Sequence, residues 1–267
     1  MKMTSRKSVF FSSLMLFGVT TISSALGDGV PAGYEQVPFL QANGNCQIKT
    51  GITPACTDKV EMQFRPAAVN TVQTLWCSRT GSGATSAQFT AFLLNSAKVR
   101  FDRGDGGANV GQITSTGTLL ATTNYLVAAD YATLEGVVTN IADNTEAVRV
   151  TMASGTYTPG SELCLLASHT TDPDTGLGNY ASYALYSFKL RDSGGNLRCD
   201  LVPARRTVDG VLGLYDAVRD TFLTNSQSGC FTTSGMTITP SDPEWGKALT
   251  IADNITIDAA SGATWAG

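Results

Sequence analysis

A single histidine, His169, serves all 267 residues, and only 15% of them are charged. With one imidazole and no Cys-x-x-Cys pair, the chain has poor raw material for a tetrahedral zinc site. Lysine and arginine number 18 against 22 acidic residues, a net charge of -4, and no basic run extends beyond Arg205-Arg206. That balance excludes the electrostatic footprint of a nucleic-acid binder. The chain also lacks a Gly-x-Ser-x-Gly elbow, and Glu61, Glu135 and Glu146 have no acidic partner two or four positions on. Neither a serine hydrolase nor a strand-borne pair of glycosidase carboxylates is therefore spelled out, although a pair could still form between strands. Convincing 3.6-residue periodicity over a helical length is missing between the N-terminal leader and Pro240, which argues against a helical fold.

What is present begins with a leader. Lys2, Arg6 and Lys7 precede the apolar stretch "SVFFSSLMLFGVTTISSAL", which exits through small residues before Asp28. A basic region, an apolar region and a small-residue exit read as a secretory signal peptide, with cleavage after Ala25 or Gly27. A retained signal anchor is the alternative, against which the shortness of the apolar region argues. No later segment is apolar enough to span a bilayer. The organisation expected is a signal peptide over 1–27, a globular unit over 28–239, and a linker with a further segment over 240–267. The mature chain is expected to be secreted or displayed on the outer surface.

Six cysteines follow the leader: Cys46, Cys56, Cys77, Cys164, Cys199 and Cys230. An even count in an exported chain suggests disulfides. The pairing stays open from sequence. Cys46 with Cys56, Cys199 with Cys230 and Cys77 with Cys164 are the pairs we expect, and buried free thiols are the alternative.

Apolar residues alternate in many short runs. Val60, Met62 and Phe64 share one face of "DKVEMQF"; Val99 and Phe101 do so in "KVRFDR"; Tyr186, Phe188 and Leu190 do so in "SYALYSFKLRD". Such alternation marks half-buried strands, whose successive side chains point to opposite faces. Turn signals such as "RTGSGATS", "RGDGG", "ADNT" and "DSGGN" separate them. The prediction is an all-β fold, a two-sheet antiparallel sandwich.

The order of these pieces resembles a family. "PAGYEQVPFLQANGNCQIKTGITPACTDKVEMQF" is similar to the opening of the laminin-G-like, concanavalin A-like jelly rolls of bacterial and phage surface proteins. "LWCSRT" with "KVRFDRG" is similar to their middle. "YSFKLRDSGGNLRCDLVPARRTVDGVLGLYDAVRDTFLTNSQSGCF" resembles their end most specifically, with Asp-Gly-x-x-Gly-Leu-Tyr-Asp followed by Phe-x-x-Asn. The likeness spans Pro31 to Thr233 and implies a jelly-roll sandwich. In the closing motif, Gly210 and Gly213 would permit tight turns, Leu214, Tyr215 and Phe222 would pack inward, and Asp216 and Asn225 would close turns.

Family members are often inferred to bind glycans or proteins, sometimes with calcium at the rim. Here Asp172 and Asp174 in "HTTDPDTGLGNY" are the calcium candidates, although two carboxylates supply only part of a shell and an Asp-Pro-Asp turn accounts for them as well. Tyr180 could stack on a sugar, and Arg79 and His169, which end strands alike, would share the rim. Arg103-Gly104-Asp105 spells an adhesion tripeptide in what reads as a hairpin turn. The tail "KALTIADNITIDAASGATWAG" alternates like the first rung of a β-solenoid, which needs several rungs to be stable.

The expected function is recognition or adhesion at a surface, with a glycan or cell-surface protein as partner and no required cofactor. The first alternative is a non-binding head or spacer of a longer surface protein, and the second a glycoside hydrolase. Exposed aromatics on the concave sheet would favour recognition; a polar, aromatic-free concave face would favour the spacer.

Overall fold

The computed structural model describes residues 30–81, 86–105, 110–152, 158–170, 173–174, 176–225 and 230–232. The leader, the segment over 240–267 and Asp172 lie outside these residues. The described chain is all-β, with two antiparallel sheets packed as a jelly-roll sandwich.

The smaller sheet has the order β3 (Ile48–Lys49), β12 (Cys164–Leu165), β5 (Gln73–Arg79), β6 (Ala87–Leu93), β7 (Val99–Asp105) and β8 (Val110–Thr114). The larger runs β11 (Thr145–Thr151), β10 (Glu135–Asn140), β9 (Tyr125–Asp130), β4 (Lys59–Pro66), β13 (Tyr183–Arg191), β14 (Leu197–Arg206), β15 (Leu212–Asp216) and β16 (Thr221–Leu223). Three short strands extend it: β1 (Tyr34–Gln36) pairs with β14, while β2 (Leu40–Ala42) pairs with both β13 and β17 (Phe231–Thr232).

The alternation in the sequence maps onto the core. Val60, Met62 and Phe64 of β4 face inward and meet Ala87, Phe89, Ala91 and Leu93 of β6 in one cluster. Aromatic pairs hold the layers together: Trp76 lies 6.5 Å from Phe188 edge-on, and Phe89 stacks on Tyr131 at 4.0 Å. Such pairs add about 0.5–1.5 kcal/mol each beyond the area they bury. Trp76 Nε1 donates to the Tyr131 hydroxyl at 3.3 Å, so both buried polar tips are satisfied.

Three expectations are corrected. Tyr186 does not share a face with Phe188 and Leu190, because the β13–β4 register shifts between Leu185 and Ser187. The extra residue at this bulge turns Tyr186 outward, into a separate cluster with Phe39 and Ala184. Secondly, Cys46 is bridged to Cys230, with Cα atoms 5.5 Å apart, and not to Cys56. The pairing of β17 with β2 returns the chain end to the start of the fold and places Cys230 there, which also removes the Cys199–Cys230 pair. Cys56, Cys77, Cys164 and Cys199 are free thiols. Thirdly, Arg103-Gly104-Asp105 is not a hairpin turn but the end of β7. Arg103 is buried opposite Phe89, and a side chain on Gly104 would run into the Ser86 carbonyl.

Candidate functional site

Of the residues singled out at the rim, Arg79 ends β5, whereas His169, Asp174 and Tyr180 lie on the stretch between β12 and β13, whose described residues meet Gln47, Lys49, Thr74 and Arg79 at the smaller sheet. The Arg79 guanidinium donates through Nε to the His169 carbonyl, so these two are brought together. His169 is wholly buried, however, and its imidazole is no part of a surface. Asp174 is exposed and pairs with Lys49, whose ammonium that carboxylate holds above its usual range. Tyr180 is half-buried. Ser168 and Gly178 form a bridge within the segment, and Gln47 Nε2 donates to the Pro173 carbonyl at 2.6 Å. Among the described residues no group of three or more His, Cys, Asp or Glu side chains could hold a metal ion.

On the smaller sheet, residues directly opposite one another form a row, Lys49, Cys164, Cys77, Thr90, Asp102 and Gln112, in which Cys164, Cys77, Thr90 and Asp102 are buried and Gln112 is exposed. Asp102 is fully buried. Arg100 Nη2 donates to its carboxylate at 2.9 Å while the guanidinium stacks 4.9 Å from the Phe92 centroid. Burial pushes the Asp102 carboxyl up to about 6, against the pull of Arg100.

A cleft of about 590 Å³ opens at one end of the sandwich, lined by residues that include Cys56, Asp58, Thr158, Asp192 and Arg198. Its two carboxylates are structural. Asp58 accepts from the Ala55 amide at 2.9 Å and from Arg198 Nη1, while burial pushes its carboxyl above the usual range. Asp192 accepts from the Asn196 amide nitrogens, backbone and side chain, at 2.9 Å each and closes the β13–β14 turn.

A different surface carries aromatic rings, on the outer face of the larger sheet where β1, β14, β15 and β16 meet. The pairings Tyr34 with Arg206, Val202 with Tyr215 and Tyr215 with Phe222 put these side chains on one face, opposite core-facing Leu201, Leu214 and Leu223. Tyr34 lies 5.0 Å from both Tyr215 and Phe222, and the Arg206 guanidinium sits 5.5 Å from the Phe222 centroid. Tyr34, Phe222 and Arg206 are half-exposed, whereas Tyr215 is the buried floor. Two carboxylates flank the rings. Asp209 accepts three hydrogen bonds from Arg206, at 3.0, 3.1 and 2.6 Å, and this holds it below the usual carboxylate range; Asp220 accepts from the Tyr215 hydroxyl.

The turns and inward packing expected of this motif hold for part of it. Leu214 packs inward, Gly210 has φ +70°, and buried Asp216 accepts from the amides of Asp200, Val218 and Arg219 and from Arg219 Nε. Asn225 accepts from the Gln47 amide at 3.1 Å. The expectation that Tyr215 and Phe222 would face the core is corrected, because strand alternation puts them opposite Leu214 and Leu223. Gly213 is extended and serves by close approach: a side chain there would strike the Leu223 carbonyl and come within 2.9 Å of the Phe222 ring. The aromatic grouping was hidden because Tyr34 reaches it only through the pairing of β1 with the far end of β14.

No family model matches the chain, and no protein of established description matches it in sequence. Solved structures of similar shape include a heptameric SAP-like pentraxin of Limulus polyphemus (8% identity, TM-score 0.38, 58% of this chain and 75% of that one). The CBM40 module of the Ruminococcus gnavus IT-sialidase, solved with α2,3-sialyllactose, is 11% identical with a TM-score of 0.39 over 56% of this chain and 89% of the module. The laminin α2 LG1–3 region is 12% identical with a TM-score of 0.43, over 72% of this chain and 34% of that one. The architecture here rests on its own strand order and pairing.

Proposed function

We propose that this protein is an exported recognition module that binds carbohydrate on the Tyr34–Phe222–Arg206 platform. The observation that carries the reading is the outward-facing aromatic pair with charged groups beside it. A sugar ring offers an apolar C–H face that packs on aromatic carbon, while its hydroxyls need planar donors and acceptors at the margin. Tyr34 and Phe222 supply the first; Arg206, Asp209 and Asp220 supply the second. The neighbouring structure that was solved with sialyllactose makes glycans a natural class to test. The carboxylates of the cleft are engaged in turns, so the reading has no bond-cleaving step.

The test is a glycan array probed with the full mature chain, beside Phe222→Ala and Arg206→Ala variants whose thermal melts are checked first. Reproducible binding of one glycan class, lost in both variants, supports the platform. Binding that neither variant alters would place recognition elsewhere, with Arg79, Asp174 and Tyr180 the next surface to test.

A second reading is a spacer without a ligand. The pairing of surface charges favours it, since Lys59–Asp130, Lys189–Asp200 and Arg149–Glu146 are each satisfied within the sheet. A blank array would favour that reading.

A further inference from the structure

We propose that Cys77 and Cys164, free thiols in this structure, form a second, cross-strand disulfide when the chain folds under oxidising conditions. The inference is independent of the ligand platform. The two residues are direct register partners in the antiparallel pair β5–β12, and the next pair along is Trp76 with Leu165. Directly opposed residues of an antiparallel ladder lie about 4.5–5.5 Å apart at Cα with side chains on the same face. A disulfide spans about 4.4–6.8 Å between Cα atoms, a range that contains the spacing of directly opposed residues. The bridged pair Cys46–Cys230 spans 5.5 Å.

The surroundings single out this pair. Trp76 and Leu165 enter the core, which leaves both thiols buried on the opposite face. Gln47 Nε2 lies 3.5 Å from Cys164 Sγ, and Thr90 Oγ1 lies 3.7 Å from Cys77 Sγ. The other two thiols sit apart from this face. Cys199 belongs to the core cluster on β14 of the larger sheet, and Cys56 lines the cleft.

The chemistry needs an oxidant, and a small disulfide such as glutathione disulfide, or an oxidoreductase carrying one, supplies it. The Cys77 thiolate attacks one sulfur of that disulfide, its S–S bond breaks and one thiolate leaves. The Cys164 thiolate then attacks the mixed disulfide and expels the second thiolate, which closes Cys77–Cys164. Two protein thiols thereby lose two electrons and two protons, and the oxidant becomes two thiols. Both sulfurs are wholly buried in the folded chain, and burial raises both thiols above their usual range. Oxidation therefore precedes their burial, and the finished bond is shielded from reductants.

The experiment folds the full mature chain with glutathione disulfide, unfolds it in denaturant with iodoacetamide and no reductant, and maps peptides by mass spectrometry. The expected result is alkylation at Cys56 and Cys199 only, with the Cys77 and Cys164 peptides recovered linked to each other. In Cys164→Ser, Cys77 becomes fully alkylated. Alkylation of both Cys77 and Cys164 while Cys46–Cys230 stays linked would overturn the inference. So would either residue linked to a different cysteine.

Discussion

The outer faces of the two sheets use polar residues in opposite ways. On the smaller sheet, Cys77, Thr90 and Asp102 are buried on the outer face, and His169 is buried within the stretch that lies against it. On the larger sheet, at the β14–β16 edge, Tyr34, Phe222 and Arg206 stay half-exposed with carboxylates beside them. Both faces gather chemically capable residues, and those buried on the smaller sheet are out of a ligand's reach. The comparison teaches that charged and aromatic residues mark a site only when chain topology leaves them uncovered.

The largest expected effect lies under the platform. Asp216→Ala removes a carboxylate that satisfies three backbone amides and the Arg219 guanidinium in a fully buried position. Breaking such a pair costs about 3–5 kcal/mol, to be read from denaturant unfolding. A loss below about 1 kcal/mol, the range of an exposed ion pair, would mean that the motif does not fasten this edge.

The smaller sheet sharpens the comparison through pH. Asp102 titrates near 6 when folded, against 3.8 for an unperturbed carboxyl, because burial outweighs the help from Arg100. Its folded pKa is raised, so between those values the folded state binds more proton than the unfolded chain. Stability then falls as pH rises through the window, and the loss is complete above it. Asp102→Asn should remove a decline of about 2–3 kcal/mol between pH 4 and pH 7, measured as the difference between wild-type and variant unfolding curves. Parallel curves would show that the carboxylate is reached by solvent in the folded state.

A smaller effect is expected at Gly213, where stability and ligand meet. Gly213→Ala forces a methyl group against the Leu223 carbonyl and the Phe222 ring, and overpacking of this kind costs about 1–3 kcal/mol. The displaced ring should also weaken glycan binding in a variant that still folds. Full binding with a lowered melting point would separate Phe222 from recognition.

The two faces also differ in how much of them the sequence discloses. Strands such as Lys59–Pro66 and Leu197–Arg206 follow from alternation, since one face of each is buried and the other wet. The closing motif announced Asp216 and Gly210 because turn chemistry is local. Much of what depended on long-range pairing stayed hidden. Tyr34 joins Phe222 through β1 on β14, Cys230 reaches Cys46 through β17 on β2, and His169 is buried within its own stretch. A single bulge at Tyr186 reversed one side chain that strict alternation would have placed in the core.

The measurement that bears most directly on the central claim is glycan-array binding of the mature chain against its Phe222→Ala variant, with both shown to melt alike. The account predicts reproducible binding to one glycan class by the wild type and its loss in the variant. Equal binding by the two proteins, or none by either, would contradict it.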